Sequence, residues 1–330
     1  MNKKRKEIIK ACEISELKTY SLGGYNQKVL LEGRYKTNPV MIFLHGGPGS
    51  PIPFGEGCRG MFPVITDRFI MVYWDQLGCG INNHVIDDSL SIDSYVNMTI
   101  DLIREIKKEF PDNTISLFGV SMGSILAAKV AQRVPELLYR VMTYAQVLKQ
   151  LIFDEEVFTT LENSNMSAKH RQQLESIKNK DKCTISELKR MVRWIQKYTE
   201  GYHAKAGGKT SMGGIIYGIL TSPDYSLKDF KAIIINGFLK NKSILIEIMD
   251  IDLSDVFPEI KVPYLILQGD TDIVTSTKKI STYVEAVNNE YIEIRCIQNS
   301  GHMPGKAAMD YIIKDGLDFL DSTRNKNYNF

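Results

Sequence analysis

The stretch from Thr114 to Ser124 most constrains how this chain can fold. An apolar, β-prone run leads into Gly119-Val120-Ser121-Met122-Gly123, and a helix-like stretch follows from Ile125 to Val134. A Gly-x-Ser-x-Gly pentapeptide between a strand and a helix is typical of a sharp turn that holds a serine at its tip. The two glycines let neighbouring backbone pass without meeting a Cβ atom. The pattern therefore predicts that Ser121 is a nucleophile; the alternative is a tight turn with an idle serine.

Continuous apolar runs alternate with helix-like segments through much of the chain. Such runs, expected of strands buried on both faces, occur at residues 40–44, 69–74, 115–120, 141–145 and 263–268, and residues 291–297 are predicted to form the last strand. Alternating strands and helices predict a mostly parallel sheet flanked by helices and wound with right-handed crossovers. The active site of such a sheet lies beyond the carboxyl ends of its strands. The loop at His45, the loop at Asp75 and Ser121 all follow strand ends.

The pattern changes between about residues 146 and 255, where charged helical segments replace the strand signals. Because strands resume afterwards, one sheet is interrupted rather than finished. We therefore expect residues 1–145 and 256–330 to form one α/β core. Residues 146–255 are then a helical cap over the strand ends, inserted after the strand that follows the nucleophile helix. The alternative is a separate domain beside the core.

Charge and composition narrow the class of protein. The formal net charge of +2 gives no strong field for nucleic acid, and we interpret the basic run Lys3-Lys4-Arg5-Lys6 as a solvated tail. No apolar stretch has the length of a membrane span or the pattern of a secretory signal. The five scattered cysteines predict reduced thiols in a cytoplasmic protein. Neither metal-ligand spacing nor a phosphate-binding glycine motif is found, so we expect no metal and no cofactor.

Two polar residues follow the last predicted strands: Asp272 in Gly-Asp-Thr-Asp and His302 in Gly-His. Nucleophile, acid and histidine in this chain order are typical of the α/β-hydrolase fold. The segments His45-Gly46-Gly47-Pro48-Gly49 and Trp74-Asp75-Gln76-x-Gly78 are more specific. With them, the chain resembles the proline iminopeptidase family of α/β-hydrolases over nearly its whole length.

The resemblance implies a role for each matching residue. Ser121 is the nucleophile, His302 the base and Asp272 the acid of a catalytic triad. The backbone N–H groups of Gly47 and Met122 form the oxyanion hole. The implied activity is release of an N-terminal residue from short peptides through an acyl-enzyme. One alternative stays open within the triad, since the acid could instead be Asp270, with Asp272 as a turn residue.

Two other functions fit the same residues. An esterase, lactonase or amidase for small acyl substrates would use the same triad under a differently lined cap. An idle α/β-hydrolase fold could instead serve as a binding module. The resemblance also implies that acidic side chains, mostly from the cap, hold the amine of a peptide substrate. The cap acids considered for this role are Glu155, Glu156, Glu200, Asp224 and Asp229.

Overall fold

A single sheet organises the protein. The computed structural model describes residues 1–51, 54–86, 89–150, 152–206, 212–240 and 242–321. The strands are β1 (Ile14–Leu22), β2 (Tyr25–Gly33), β3 (Val40–Leu44), β4 (Ile70–Tyr73), β5 (Ile115–Val120), β6 (Arg140–Tyr144), β7 (Tyr264–Gly269) and β8 (Ile292–Ile297). They form an eight-stranded sheet in the order β1-β2-β4-β3-β5-β6-β7-β8. The β1–β2 and β2–β4 pairs are antiparallel and the other pairs are parallel, which confirms the predicted sheet.

Helices pack against both faces of this sheet. They are α1 (Lys3–Ala11), α2 (Pro63–Thr66), α3 (Ile92–Glu109), α4 (Met122–Arg133), α5 (Glu155–Glu162), α6 (Ala168–Lys178), α7 (Ile185–Tyr198), α8 (Met212–Leu220), α9 (Leu227–Lys240), α10 (Lys242–Met249), α11 (Thr277–Val287), α12 (Lys306–Tyr311) and α13 (Leu317–Leu320). Helices α5 to α10 all fall between β6 and β7 in the chain. The division into core and cap at residues 145 and 255 stays a prediction.

The alternation of side chains along the central strands builds two cores. All five residues of β3 are fully buried, as the continuous apolar run predicts. Ile42 packs in the cluster that includes Leu126 of α4, whereas the adjacent Phe43 packs in the cluster that includes Phe319 of α13. Successive strand residues point to opposite faces, so the two clusters lie on the two sides of the sheet. No helix among the described residues is long and apolar enough to cross a membrane.

The interpretation of the N-terminal basic run as a solvated tail is wrong for Arg5. This side chain is only 6% exposed. Its guanidinium donates hydrogen bonds to the carbonyl oxygens of Gly57 in the core (2.9 Å) and Gly218 on α8 (2.6 Å). A buried guanidinium is tolerated when its donors are satisfied, and here backbone carbonyls satisfy them. The first helix therefore joins a core loop to a helix of the insertion.

The closing helix also differs from the prediction of one continuous element near residues 306–320. A wider π-helical turn, Ile312–Gly316, separates α12 from α13. At Gly316 a Cβ atom would lie 2.8 Å from the sulfur of Met142 in β6. Close contact with the sheet at this point accompanies the break in regular α-helix.

Candidate active site

Ser121 lies at the junction of β5 and α4, between Val120 and Met122. Its backbone has φ 52° and ψ −120°, a conformation that non-glycine residues rarely adopt and that costs about 1–3 kcal/mol. The N–H of Ser121 donates to the carbonyl of Tyr144 at the end of β6 (3.0 Å), which holds the turn. As the first residue of α4, Met122 has an N–H with no acceptor inside the helix.

The structure brings the three residues of the expected triad together. The Oγ atom of Ser121 lies 3.0 Å from Nε2 of His302. The Nδ1 atom of the same imidazole lies 3.1 Å from Oδ2 of Asp272. Both distances are within hydrogen-bond range, so a proton can pass from hydroxyl to imidazole without rearrangement.

The carboxylate of Asp272 is held by donors for which the sequence contains no signal. Its Oδ1 accepts hydrogen bonds from the backbone N–H groups of Val274 (2.8 Å) and Thr275 (3.0 Å). Its Oδ2 accepts a further bond from the Thr275 hydroxyl (2.7 Å). Asp270 faces elsewhere and accepts from the N–H of Ser300 (2.9 Å). Of the two candidate acids, Asp272 is therefore the one placed against the imidazole.

His45 is hydrogen-bonded within the glycine-rich loop after β3. Burial lowers the pKa of His45 to about 4, so its ring is neutral near pH 7. Its Nε2 accepts from the N–H of Gln76 (2.9 Å), which places the proton on Nδ1, and Nδ1 donates to the carbonyl of Gly46 (2.8 Å). Next in the loop, Gly47 has φ 136°, where any other residue would be strained. Gly47 and Met122 both border the cavity at Ser121.

Gly201 and Tyr202, which precede α8 in the chain, contact the loop that carries His302. The carbonyl of Gly201 accepts from the N–H of His302 (3.1 Å), and that of Tyr202 accepts from the N–H of Met303 (2.9 Å). The rings of Tyr202 and His302 are 5.5 Å apart. A Cβ atom on Gly301 would lie 2.8 Å from the backbone of Tyr202, so glycine permits this contact. The sequence did not indicate Tyr202, because only the tertiary fold creates the contact.

A cavity of about 190 Å³ opens onto Ser121. Its polar edge includes Thr275 and His302, while much of its wall is apolar. Among the described residues that line it, Lys149 is the only lysine, arginine, aspartate or glutamate. Helices α7 and α10 contribute Leu188, Val192, Leu245 and Ile248.

Residues 39–305 match the family described as the alpha/beta hydrolase fold. The chain belongs to the α/β-hydrolase fold family. It is a hydrolase, and relatives named as aminopeptidases confirm the predicted resemblance. It is 26% identical over 308 residues to the "Probable aminopeptidase YbaC" of Bacillus subtilis (strain 168), which covers 88% of this chain and 92% of that protein. It is 23% identical over 299 residues to a proline iminopeptidase of Heyndrickxia coagulans, covering 86% and 91%.

A solved structure of another α/β-hydrolase agrees with the fold. The crystal structure of proline iminopeptidase from Mycobacterium smegmatis superposes with a TM-score of 0.58 at 15% sequence identity. The match covers 92% of this chain and 95% of that one. At this identity the likeness concerns the fold alone.

The cap acids considered for an amine site have other partners in this α/β-hydrolase. Glu155 pairs with Lys178 at 3.0 Å. The carboxylate of Glu156 accepts a hydrogen bond from the hydroxyl of Ser276, which caps α11. Neither glutamate is among the described residues that line the cavity.

The remaining three candidates also have other partners and are not among the described residues that line the cavity. Glu200 pairs with Lys205 at 3.5 Å. Asp224 pairs with Arg59 of the core at 2.9 Å. Asp229, in the first turn of α9, accepts a hydrogen bond at 2.8 Å from the backbone N–H of Ser226, which directly precedes that helix. Each carboxylate thus stabilises a local structure or joins the insertion to the core.

Proposed function

We propose that this α/β-hydrolase is a serine hydrolase that cleaves an ester or amide bond through an acyl-enzyme on Ser121. The observation that carries the proposal is the 3.0 Å separation of Ser121 Oγ from His302 Nε2, with His302 Nδ1 3.1 Å from Asp272 Oδ2. A serine hydroxyl becomes a good nucleophile only when a positioned base removes its proton. This arrangement supplies both the base and the group that orients it.

In the acylation half of the reaction, His302 Nε2 takes the proton of Ser121 as Oγ bonds to the substrate carbonyl carbon. The carbonyl oxygen becomes an oxyanion, which the N–H groups of Gly47 and Met122 stabilise. Loss of one such donor typically costs about 10²–10³ in turnover. When the intermediate collapses, the leaving group departs with the proton from His302, and the acyl group stays on Ser121.

Deacylation repeats these steps with water. His302 takes a proton from the attacking water, and the new tetrahedral intermediate uses the same oxyanion donors. Collapse releases the carboxylic acid and returns a proton to Ser121 Oγ. Asp272 keeps the imidazole in the tautomer that accepts at Nε2 and stabilises its cationic form in both halves. The cycle consumes one water and needs no cofactor.

Two substrate classes are compatible with this chemistry. The names of the curated relatives favour release of an N-terminal residue, proline included, from short peptides. The mainly apolar cavity, with Lys149 as its charged lining residue, favours a small ester, lactone or amide with an uncharged acyl group. We further propose a cytoplasmic protein; in support, its five cysteines form no disulfide.

Steady-state hydrolysis tests the proposal. The substrates are 4-nitrophenyl esters of short acyl chains, together with prolyl and alanyl arylamides. The wild type turns over at least one class, and Ser121→Ala loses at least about 10⁴ in kcat. Ser186→Ala, on the exposed start of α7, is the matched control and retains activity. Equal turnover by the Ser121→Ala variant and the wild type would refute the proposal, and ester turnover without arylamide release would exclude the aminopeptidase class.

A further inference from the structure

The acyl group is the part of a substrate that the cavity has to accommodate. In the proposed acyl-enzyme this group is bonded to Ser121 Oγ, which borders the cavity, whereas the leaving group departs. The volume is about 190 Å³. For scale, an apolar cavity of about 150 Å³ binds benzene. The space therefore suits an acyl group slightly larger than one aromatic ring.

The helices over Ser121 present apolar side chains to this group. Leu188 and Val192 are one turn apart on α7, and Leu245 and Ile248 are one turn apart on α10, so each pair shares a helix face. Leu188 and Leu245 are almost completely buried. A group placed between these faces loses its water and gains only apolar contacts in return.

The acidic residues of these two helices face away from the cavity. Glu187 on α7 pairs with Lys180 at 2.5 Å and accepts a hydrogen bond from the N–H of Thr184 at 2.8 Å. Glu247 on α10 accepts from the N–H of Ile92 at the start of α3 (2.6 Å). Both carboxylates therefore stabilise helix N-termini, where negative charge is favourable.

The positions of the insertion that lie outside the described residues are 151, 207–211 and 241. They are leucine, glycine, lysine, threonine, serine or asparagine, so none of them supplies a carboxylate. In the whole chain, Asp87 and Asp88 are the only acids outside the described residues. Among the described residues that line the cavity, the charged one is Lys149, an exposed cation that cannot serve as the partner of an ammonium.

These observations bear on the free amino group that defines an aminopeptidase substrate. Burying an ammonium without a carboxylate partner is strongly unfavourable. We infer that the cavity selects an uncharged, apolar acyl group of about phenylpropanoyl size and discriminates against a free α-amino group. The inference rests on the proposed acyl-enzyme at Ser121 and names the substrate class of that site.

Two diphenyl phosphonates that differ only in an α-amino group test this selectivity. One presents a 2-phenylethyl group and the other a 1-amino-2-phenylethyl group. In each case Ser121 Oγ bonds to phosphorus and one phenol leaves. The second-order inactivation rate constant, measured near pH 6.5, is expected to be at least about 100-fold larger for the phosphonate without the amine. A preference for the amino phosphonate would overturn the inference.

A control reaction separates this failure from failure of the proposed function. A small ethyl fluorophosphonate needs no acyl pocket and reacts with any activated serine. If it does not react with Ser121, the proposed function itself fails. If it reacts while neither phenylethyl phosphonate does, the serine is active but the inferred size and apolarity of the acyl group are wrong.

Variants of the cavity wall add a second measurement. Val192 is half-buried on α7, so Val192→Glu places a carboxylate beside the acyl group, and Val192→Gln is the uncharged control of similar shape. Relative to the Gln variant, the Glu variant should shift the rate ratio at least about 10-fold toward the amino phosphonate. Lys149→Met should shift it in the same direction and Lys149→Arg should not. Thermal unfolding checks that each variant is folded, and unchanged ratios in folded variants would contradict the inference.

Discussion

Gly123 lies so close to Leu44 that a Cβ atom at position 123 would overlap the carbonyl oxygen of Leu44. The first turn of α4 therefore packs directly on the end of β3. This contact fixes how the helix leaves the sheet and hence where Ser121 points. It also gives a physical reason for the second glycine of the Gly-x-Ser-x-Gly pentapeptide.

Gly123→Ala should destabilise the protein by at least about 2 kcal/mol, because the added methyl group has to displace backbone rather than a flexible side chain. The midpoint of urea unfolding measures the change. Gly213→Ala on α8 is the matched control, since a Cβ there meets nothing within 4 Å. The control should be neutral or slightly stabilising. Equal midpoints for Gly123→Ala and the wild type would contradict the close approach.

The triad should act as a unit. Ser121→Ala and His302→Ala are each expected to lower kcat by at least about 10⁴, and the double variant by little more, because the base has no function without the hydroxyl it deprotonates. Steady-state kinetics on an ester substrate would measure all three. Additive losses in the double variant would show that the two side chains act independently.

Thr275 should support turnover through Asp272. Its hydroxyl donates to the same oxygen that faces the imidazole, Oδ2. Thr275→Val removes this donor at nearly constant volume, and we expect kcat to fall about 10-fold, corresponding to about 1.4 kcal/mol. Thr275→Ser keeps the hydroxyl and should restore most of the loss. If Thr275→Val keeps the wild-type kcat while Thr275→Ser is impaired, packing of the methyl group and not the hydrogen bond is what matters.

Glu32 should make the stability depend on pH. Burial raises its pKa from 4.5 to about 7, although the N–H of Gly60 donates to both carboxylate oxygens. Between these two values the folded protein retains a proton that the unfolded chain has lost, so this residue's contribution to stability decreases as pH rises through the window. Glu32→Gln cannot ionise. Its stability relative to the wild type should therefore rise by ~2.5 kcal/mol between pH 5 and pH 8.

Urea unfolding of both proteins at the two pH values checks this prediction. Groups that titrate in the window without interacting with Glu32, His45 among them, affect wild type and variant alike and cancel in the difference. A difference in free energy of unfolding that is the same at pH 5 and pH 8 would show that Glu32 ionises normally in the folded state.

The parts of the site that were predictable from sequence depend on local patterns. Buried parallel strands appear as continuous apolar runs, and polar residues just past their ends meet at one edge of the sheet. That is why Ser121, Asp272 and His302 could be selected before their distances were known. The choice of Asp272 over Asp270 needed coordinates, because both follow the same strand and only the turn geometry decides which carboxylate faces the imidazole.

The remaining features are tertiary, and the sequence contains no local signal for them. The basic run that contains Arg5 has the composition of a solvated tail, and only the surrounding carbonyl groups make burial of Arg5 favourable. The contact of Tyr202 with the loop that carries His302 joins residues 100 positions apart in the chain. The partners of the cap acids likewise depend on how helices pack. Substrate preference was therefore the least predictable property, since it is set by these contacts.

Covalent labelling is the most direct test of Ser121 as an activated nucleophile. A fluorophosphonate should add one adduct per chain, located by peptide mass spectrometry on Ser121. The adduct should be absent in Ser121→Ala, strongly slowed in His302→Ala and unchanged in Ser186→Ala. A folded wild-type protein that stays unlabelled, or one labelled at another residue with Ser121 unmodified, would contradict the proposed mechanism.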